Sequence, residues 1–401
     1  MQKIVLPNGL TVIYQHKPGN AVVVEVMVKV GSNHELPEER GISHFLEHIL
    51  FEGTTKRPTN REISNEIEKI GGDFNAFTTN ERTCFYVKVL KKHFHKAVEI
   101  LADILQDSQF AEEHINKEKN IVLKEIDMVY DEPSYYQWIL LQQNLFQKAP
   151  CKYPTYGDRK VIKNLTREKV VQYFQKHYAP NNMVVSVVGD VADWKKMITA
   201  HFREVQREVP MMEFAEEPQT KKEQEVVEKR RNMVNTYTVL GFKTVPRSHH
   251  DTYALEVLNG ILGRGQSGRM FIEIRSNHGL AYEVGTQHFA DVNFGFFAIY
   301  ASIDRKNKKL VKKIILEEIE KVKHCTEEDL EEAKTYVEGS YLLDLEDGQK
   351  VADQLLFWEQ VGDVKMTDSF LKKVRAVTLK DVQRVIDTYC KNPTFVVLRG
   401  K

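Results

Sequence analysis

The chain has 401 residues, with 57 Lys and Arg against 57 Asp and Glu, and so a formal net charge of zero. That balance argues against a sequence-independent nucleic-acid binder, an acidic disordered tail and a polybasic membrane anchor. Hydrophobic residues at 42%, with only 21 Gly and 12 Pro, exclude collagen-like and low-complexity chains, and the length predicts about two or three domains. The N-terminal residues read as neither a secretory signal nor a presequence, and no apolar run is long enough for a membrane span. Cys84, Cys151, Cys325 and Cys390 are far apart with no C-x-x-C spacing, so a reduced, cytoplasmic location is expected.

In chain order, an Asn8-Gly9 turn leads into a strand at 10–14. The run Val22 to Val30 alternates, with Val22, Val24, Val26, Val28 and Val30 on one face and Glu25 and Lys29 on the other. Helices are predicted over 43–51 and 60–70, the second stopping at Gly71-Gly72. Strands at 74–78 and 83–90, helices at 93–105 and 112–130 and a strand at 183–188 complete the first half. The segment 209–229, with two prolines and dense mixed charge, reads mostly as an exposed linker.

The second half repeats this grammar. A strand at 235–242 is followed by helices at 251–262 and 270–277, strands at 281–289 and 295–303, three helices between 307 and 361, and a strand at 394–398. The order is α+β: two related domains of roughly 200 residues, at 1–208 and 230–401.

The strongest chemical signal is His44-Phe45-Leu46-Glu47-His48. On a helix His44, Glu47 and His48 share one stripe, and Phe45, Leu46, Ile49 and Leu50 occupy the rest. Ionisable groups on an otherwise apolar helix are costly unless something pairs with them. Two imidazoles at i and i+4 can point at one divalent metal ion, whereas the alternative is a solvent-exposed polar stripe. H-x-x-E-H is also a known metallopeptidase motif. Glu118 and Glu125, seven residues apart, lie on a predicted helix among Ile115, Ile121, Val122, Met128 and Val129. A third metal ligand would explain one acid on such a face. Glu47 is then free to act on a water, since a carboxylate beside a metal-activated water can take its proton.

The segment Gly41 to Thr54, GISHFLEHILFEGT, resembles the active-site helix of the pitrilysin/insulinase family of zinc peptidases. In that family the third ligand is a glutamate about 76 residues beyond the second histidine. The same number of residues separates His48 from Glu125. The resemblance therefore implies one zinc ion per chain on His44, His48 and Glu125, with Glu47 as base and Glu118 as a carboxylate orienting a ligand. Gly71 to Thr78, GGDFNAFT, is similar to the family's substrate-binding edge strand. This implies that a peptide adds along Asn75, Ala76, Phe77 and Thr78 by main-chain hydrogen bonds, with Asn75 near the scissile carbonyl.

Gly263-Arg264-Gly265-Gln266-Ser267-Gly268 fits G-x-G-x-x-G, but a helix and not a strand is predicted before it, so nucleotide binding is rejected. The run 262–282, LGRGQSGRMFIEIRSNHGLAY, resembles the second domain of short members of the same family. Arg275 and Tyr282 match its substrate-contacting pair, two donors suited to a developing oxyanion. His93, His95, His249 and His250 read as surface residues. The resemblance implies two homologous domains, each a mostly antiparallel sheet packed with helices, forming half of a clamshell. A homodimer follows, with Arg275 and Tyr282 acting in trans on short or unfolded peptides. The alternatives are a processing peptidase trimming leader peptides or presequences, and a non-catalytic structural subunit.

Overall fold

The computed structural model describes residues 1–202, 209, 214, 217–218, 220–231 and 233–401. It divides into two compact units. The first comprises Met1–Asp127, Tyr153–Glu213 and Asp344–Val364, and the second Met128–Lys152, Phe214–Leu343 and Lys365–Lys401.

Six strands build the first unit's sheet: β1 (Gln2–Val5), β2 (Thr11–Gln15), β3 (Ala21–Val28), β4 (Asp73–Thr78), β5 (Thr83–Leu90) and β6 (Met183–Val188). Their order is β1-β2-β6-β3-β5-β4. Among the described residues only β2 and β6 run parallel; every other pair is antiparallel. The second unit holds β7 (Gln224–Arg230), β8 (Thr236–Lys243), β9 (Ala281–Ala290), β10 (Gly295–Ile303) and β11 (Thr394–Gly400), in the order β7-β11-β8-β10-β9. Here too the one parallel pair, β7 with β11, joins the first and last of these strands in chain order. Mapping β2 through β6 onto β7 through β11 reproduces both order and direction, so the repeat expected from element order is present in the sheets. Among the described residues β1 has no counterpart, and it was not predicted.

Part of the segment read as a linker is a strand. The stretch 209–223 lies partly outside the described residues, but 224–230 is β7. Its side chains alternate between half-buried and exposed, the period-two signature of an edge strand with one solvated face. Dense charge hid that alternation in the sequence.

Neither unit is one continuous stretch of chain. Among the helices α1 (Ile42–Ile49), α2 (Asn60–Glu68), α3 (Phe94–Gln106), α4 (Glu112–Asp131) and α5 (Pro133–Leu145), the last packs on the second unit's sheet. Its Tyr136, Leu140, Leu141 and Leu145 bury against Val239, Phe296, Ala298, Val396 and Leu398. Gly241 on β8 permits this approach, because a Cβ there would stand 2.6 Å from the Leu141 side chain. Conversely the helix Gly348–Val361 covers the first unit's sheet, burying Val351, Ala352, Leu355 and Leu356 against Ile13, Val23, Met27, Val184 and Val188. Both faces of β3 are therefore covered, and Glu25 is fully buried along with the valines. Among the described residues no helix is long and apolar enough to cross a membrane.

Candidate metal centre and active site

Helix α1 starts where Gly41 takes a left-handed conformation, φ 96°, and it buries Ile42, Ser43, Phe45, Leu46 and Ile49. The remaining stripe carries His44, Glu47 and His48, as the sequence predicted. Their ligand atoms lie within 4.8 Å of one another. Helix α4 supplies the facing carboxylates. Its Ile115, Glu118, Val122 and Ile126 are buried, while Met128, expected on the same face, is exposed. Glu125 is half-buried and brings Oε2 to 3.4 Å from His48 Nε2 and 3.8 Å from His44 Nε2.

These separations test whether the donor set suits a metal. Ligands about 2.0–2.1 Å from a tetrahedral zinc ion stand about 3.3 Å apart. The Glu125 contacts are near that spacing and longer than a normal hydrogen bond. Two imidazoles and a carboxylate are also a zinc-type donor set, so the residues fit. The nearly buried Glu118 adds an outer contact, its Oε2 3.2 Å from His48 Nδ1. A carboxylate on the far ring nitrogen fixes the tautomer that leaves Nε2 free to ligate.

Electrostatics separates the two imidazoles. Burial, and then the neighbouring His48, pushes the His44 pKa down to about 3. Burial acts on His48 as well, but the hydrogen bond its ring N–H donates to Glu118 and the charges of Glu125 and Glu47 outweigh it and raise its pKa. Burial raises the Glu47 carboxyl, opposed by the hydrogen bond it accepts from Thr78. His44 Nδ1 is buried and makes no hydrogen bond among the described residues.

Strand β4 ends the sheet, paired with β5 along one edge only. Thr78 Oγ1 donates to Glu47 Oε2 at 2.7 Å. Phe74 lies on the same side, its ring 5.4 Å from Phe51 just beyond α1. By alternation Asn75 and Phe77 project from the opposite face, where Phe77 packs with the core under the helix Gly348–Val361. Asn75 is exposed, and its Oδ1 accepts from the Ala76 N–H at 2.9 Å.

In the second unit the G-x-G-x-x-G run follows the helix Thr252–Gly263 and leads into a π-helical turn, Phe271–Asn277. That turn and the start of β9 bring Arg275 and Tyr282 together: Arg275 Nη1 donates to the Tyr282 carbonyl at 2.5 Å, and the Tyr282 side chain is exposed. Of the histidines read as surface residues, His95 and His250 are well exposed and His249 partly so. Two other groupings of potential ligands occur among the described residues, His249-His250-Asp251 and Glu25-Cys84-Asp353. Each already has a guanidinium on its carboxylate, Arg384 on Asp251 and Arg82 on Asp353, where a cation would need to sit. Sequence reasoning missed Glu35, a buried carboxylate at the start of α1. It also missed the part played by the helix Gly348–Val361; neither has a spacing signal.

The family model described as Insulinase (Peptidase family M16) matches residues 11–159, and that described as Peptidase M16 inactive domain matches 164–337. A Bacillus subtilis protein named uncharacterized zinc protease YmxG is 32% identical over 391 residues, spanning 94% of this chain and 92% of that protein. A Rickettsia felis protein named uncharacterized zinc protease is 35% identical over 84% of this chain and 82% of its own length. Among solved structures, a protease from Helicobacter pylori superposes with a TM-score of 0.94 at 23% identity, covering 99% of each chain. With its H-x-x-E-H helix and two repeated α+β units, the chain belongs to the insulinase (M16) peptidase family.

Proposed function

We propose that the chain is a zinc-dependent endopeptidase acting on extended, unfolded peptide segments. One observation carries this: His44 Nε2, His48 Nε2 and Glu125 Oε2 converge beside Glu47, whose carboxylate is hydrogen-bonded to the free-edged strand β4. The relatives' printed names, zinc proteases, point the same way.

His44, His48 and Glu125 would hold one zinc ion per chain, and Glu118 would orient His48. When bound, the ion polarises a peptide carbonyl and acidifies a water molecule. The substrate main chain adds along Asn75 to Thr78, which selects segments without secondary structure of their own. Glu47 takes the water's proton and delivers it to the departing amine nitrogen. Arg275 and Tyr282 donate to the substrate and the developing oxyanion. By the family resemblance they act from the other protomer of a homodimer that encloses a chamber. Metal analysis of the purified chain, combined with cleavage of a broad fluorogenic peptide library, tests the reading. About one zinc per chain with cleavage of short peptides is expected; stoichiometric zinc without any turnover would leave a structural subunit.

A further inference from the structure

Helix α1 has no capping side chain of its own, since its N-cap is Gly41. A larger residue is barred there, because a Cβ on Gly41 would meet the Tyr156 carbonyl oxygen at 2.5 Å. The unpaired N–H groups of the first turn are met by a carboxylate from outside the helix. Glu35, 3% exposed, accepts from the Gly41 N–H at 2.7 Å through Oε2 and from the Ser43 N–H at 2.9 Å through Oε1. Ser43 is held in turn, its hydroxyl 3.0 Å from that of Tyr173. Both metal-facing histidines and Glu47 ride on the helix that this carboxylate anchors.

The same short segment grips the other side of the site. The Ser32 N–H donates to the Thr79 carbonyl at 3.2 Å and the Asn33 N–H to the Asn80 carbonyl at 2.8 Å. Asn33 Nδ2 reaches Glu81 Oε1 at 2.7 Å, and Asn80 Nδ2 reaches Ser32 Oγ at 3.0 Å. Thr79 to Glu81 form the turn that follows Thr78, the residue bonded to Glu47. Residues 32–35 therefore bracket the site, with one end on the start of α1 and the other on the end of β4.

We propose that Glu35 is a positioning residue and, with Asn33, sets the placement of Glu47 and the two histidines against Glu125 and the substrate strand. This rests on the peptidase reading above. Glutamine at position 35 has nearly the same shape but turns an NH2 toward one of the two backbone donors, so one contact must be lost.

The test uses the full chain with Glu35→Gln, loaded with cobalt(II) alone and, separately, with zinc. Cobalt stoichiometry and the visible d–d spectrum report ligand geometry independently of turnover. The variant is expected to bind one cobalt with an altered spectrum. With zinc, kcat per metal-loaded site should fall about tenfold to a hundredfold while KM stays within about threefold. A wild-type spectrum with kcat within about twofold of wild type overturns the proposal. So does a loss of turnover that merely follows a smaller folded fraction. Should Glu35→Gln fail to fold, Asn33→Ala decides: it leaves the α1 anchor intact, so a wild-type cobalt spectrum with kcat lowered about threefold to tenfold is expected, and unchanged kcat overturns the bracket. If the wild-type chain binds cobalt but cleaves no peptide, the peptidase reading fails, and the spectral comparison still decides the role of Glu35 on α1.

Discussion

The hydroxyl of Thr78 donates a 2.7 Å hydrogen bond to Glu47 Oε2, tying the last residue of edge strand β4 to the carboxylate between the two histidines of α1. The contact orients the group assigned as base and couples it to the strand assigned to the substrate. It also favours the ionised carboxylate against burial, which favours the neutral acid.

Thr78→Val keeps the β-branched shape and removes the donor. A hydrogen bond to a charged group contributes about 1.5–3 kcal/mol, so kcat/KM should fall about tenfold to a hundredfold with metal content unchanged. Steady-state kinetics beside metal analysis checks this, and an unaltered kcat/KM would show that β4 does not position Glu47.

Glu47→Gln should retain stoichiometric zinc and lose about 10²–10⁴-fold in turnover, the usual contribution of a general base. Glu47 also lies within reach of both imidazoles, so the metal measurement matters. Loss of zinc from this variant would make Glu47 a ligand and remove it as the base.

Glu118 meets His48 Nδ1 at 3.2 Å from a site that is almost wholly buried. Glu118→Ala should weaken metal affinity about tenfold to a hundredfold, with Glu118→Gln intermediate because its carbonyl can still accept. Chelator competition measures both. Equal affinity in all three proteins would reduce Glu118 to a packing residue.

Trans action of Arg275 and Tyr282 is testable by mixing. Glu47→Gln and Arg275→Ala chains, each inactive alone, should recover part of wild-type turnover when combined, since one hybrid site then has every group intact. Absence of recovery after demonstrated subunit exchange would place both residues in the site of their own chain.

The legible part of the site was what helical spacing and chemistry encode. His44, Glu47 and His48 stood on one stripe of an apolar helix, and Glu118 and Glu125 shared a face of another; the structure gathers them. Periodicity likewise exposed the buried strands at 22–30, 83–90 and 295–303. It could not say what covers them. A sequence does not tell the helices 133–145 and 348–361 which sheet each will meet. Hence neither the segment exchange nor the burial of Glu25 was visible beforehand. Glu35 was hidden for a related reason: it caps α1 from outside the helix, so no local pattern links it to Gly41 and Ser43.

His177 predicts acid sensitivity of the fold behind α1. It is 2% exposed, its ring centroid lies 4.4 Å from that of Tyr173, and its Nε2 is buried without a hydrogen-bond partner among the described residues. Burial, and then the charges of Lys176 and His34, pushes its pKa down to about 3. In the unfolded chain the imidazole titrates near 6.5. Below that pH the unfolded state takes up a proton that the folded state refuses, so this group's contribution to stability is fully present above about pH 6.5 and is lost progressively as pH falls toward about 3. His34, pushed down to about 4 chiefly by burial, adds to the same window. His177→Phe keeps the ring contact with Tyr173 and removes the titrating nitrogen. Thermal unfolding between pH 7.5 and about 4.5 should show the variant losing stability less steeply than wild type, by on the order of a few kcal/mol across the window, with His34 responsible for part of the remaining slope. Parallel curves for the two proteins would mean that His177 binds its proton as readily in the folded chain as in the unfolded one.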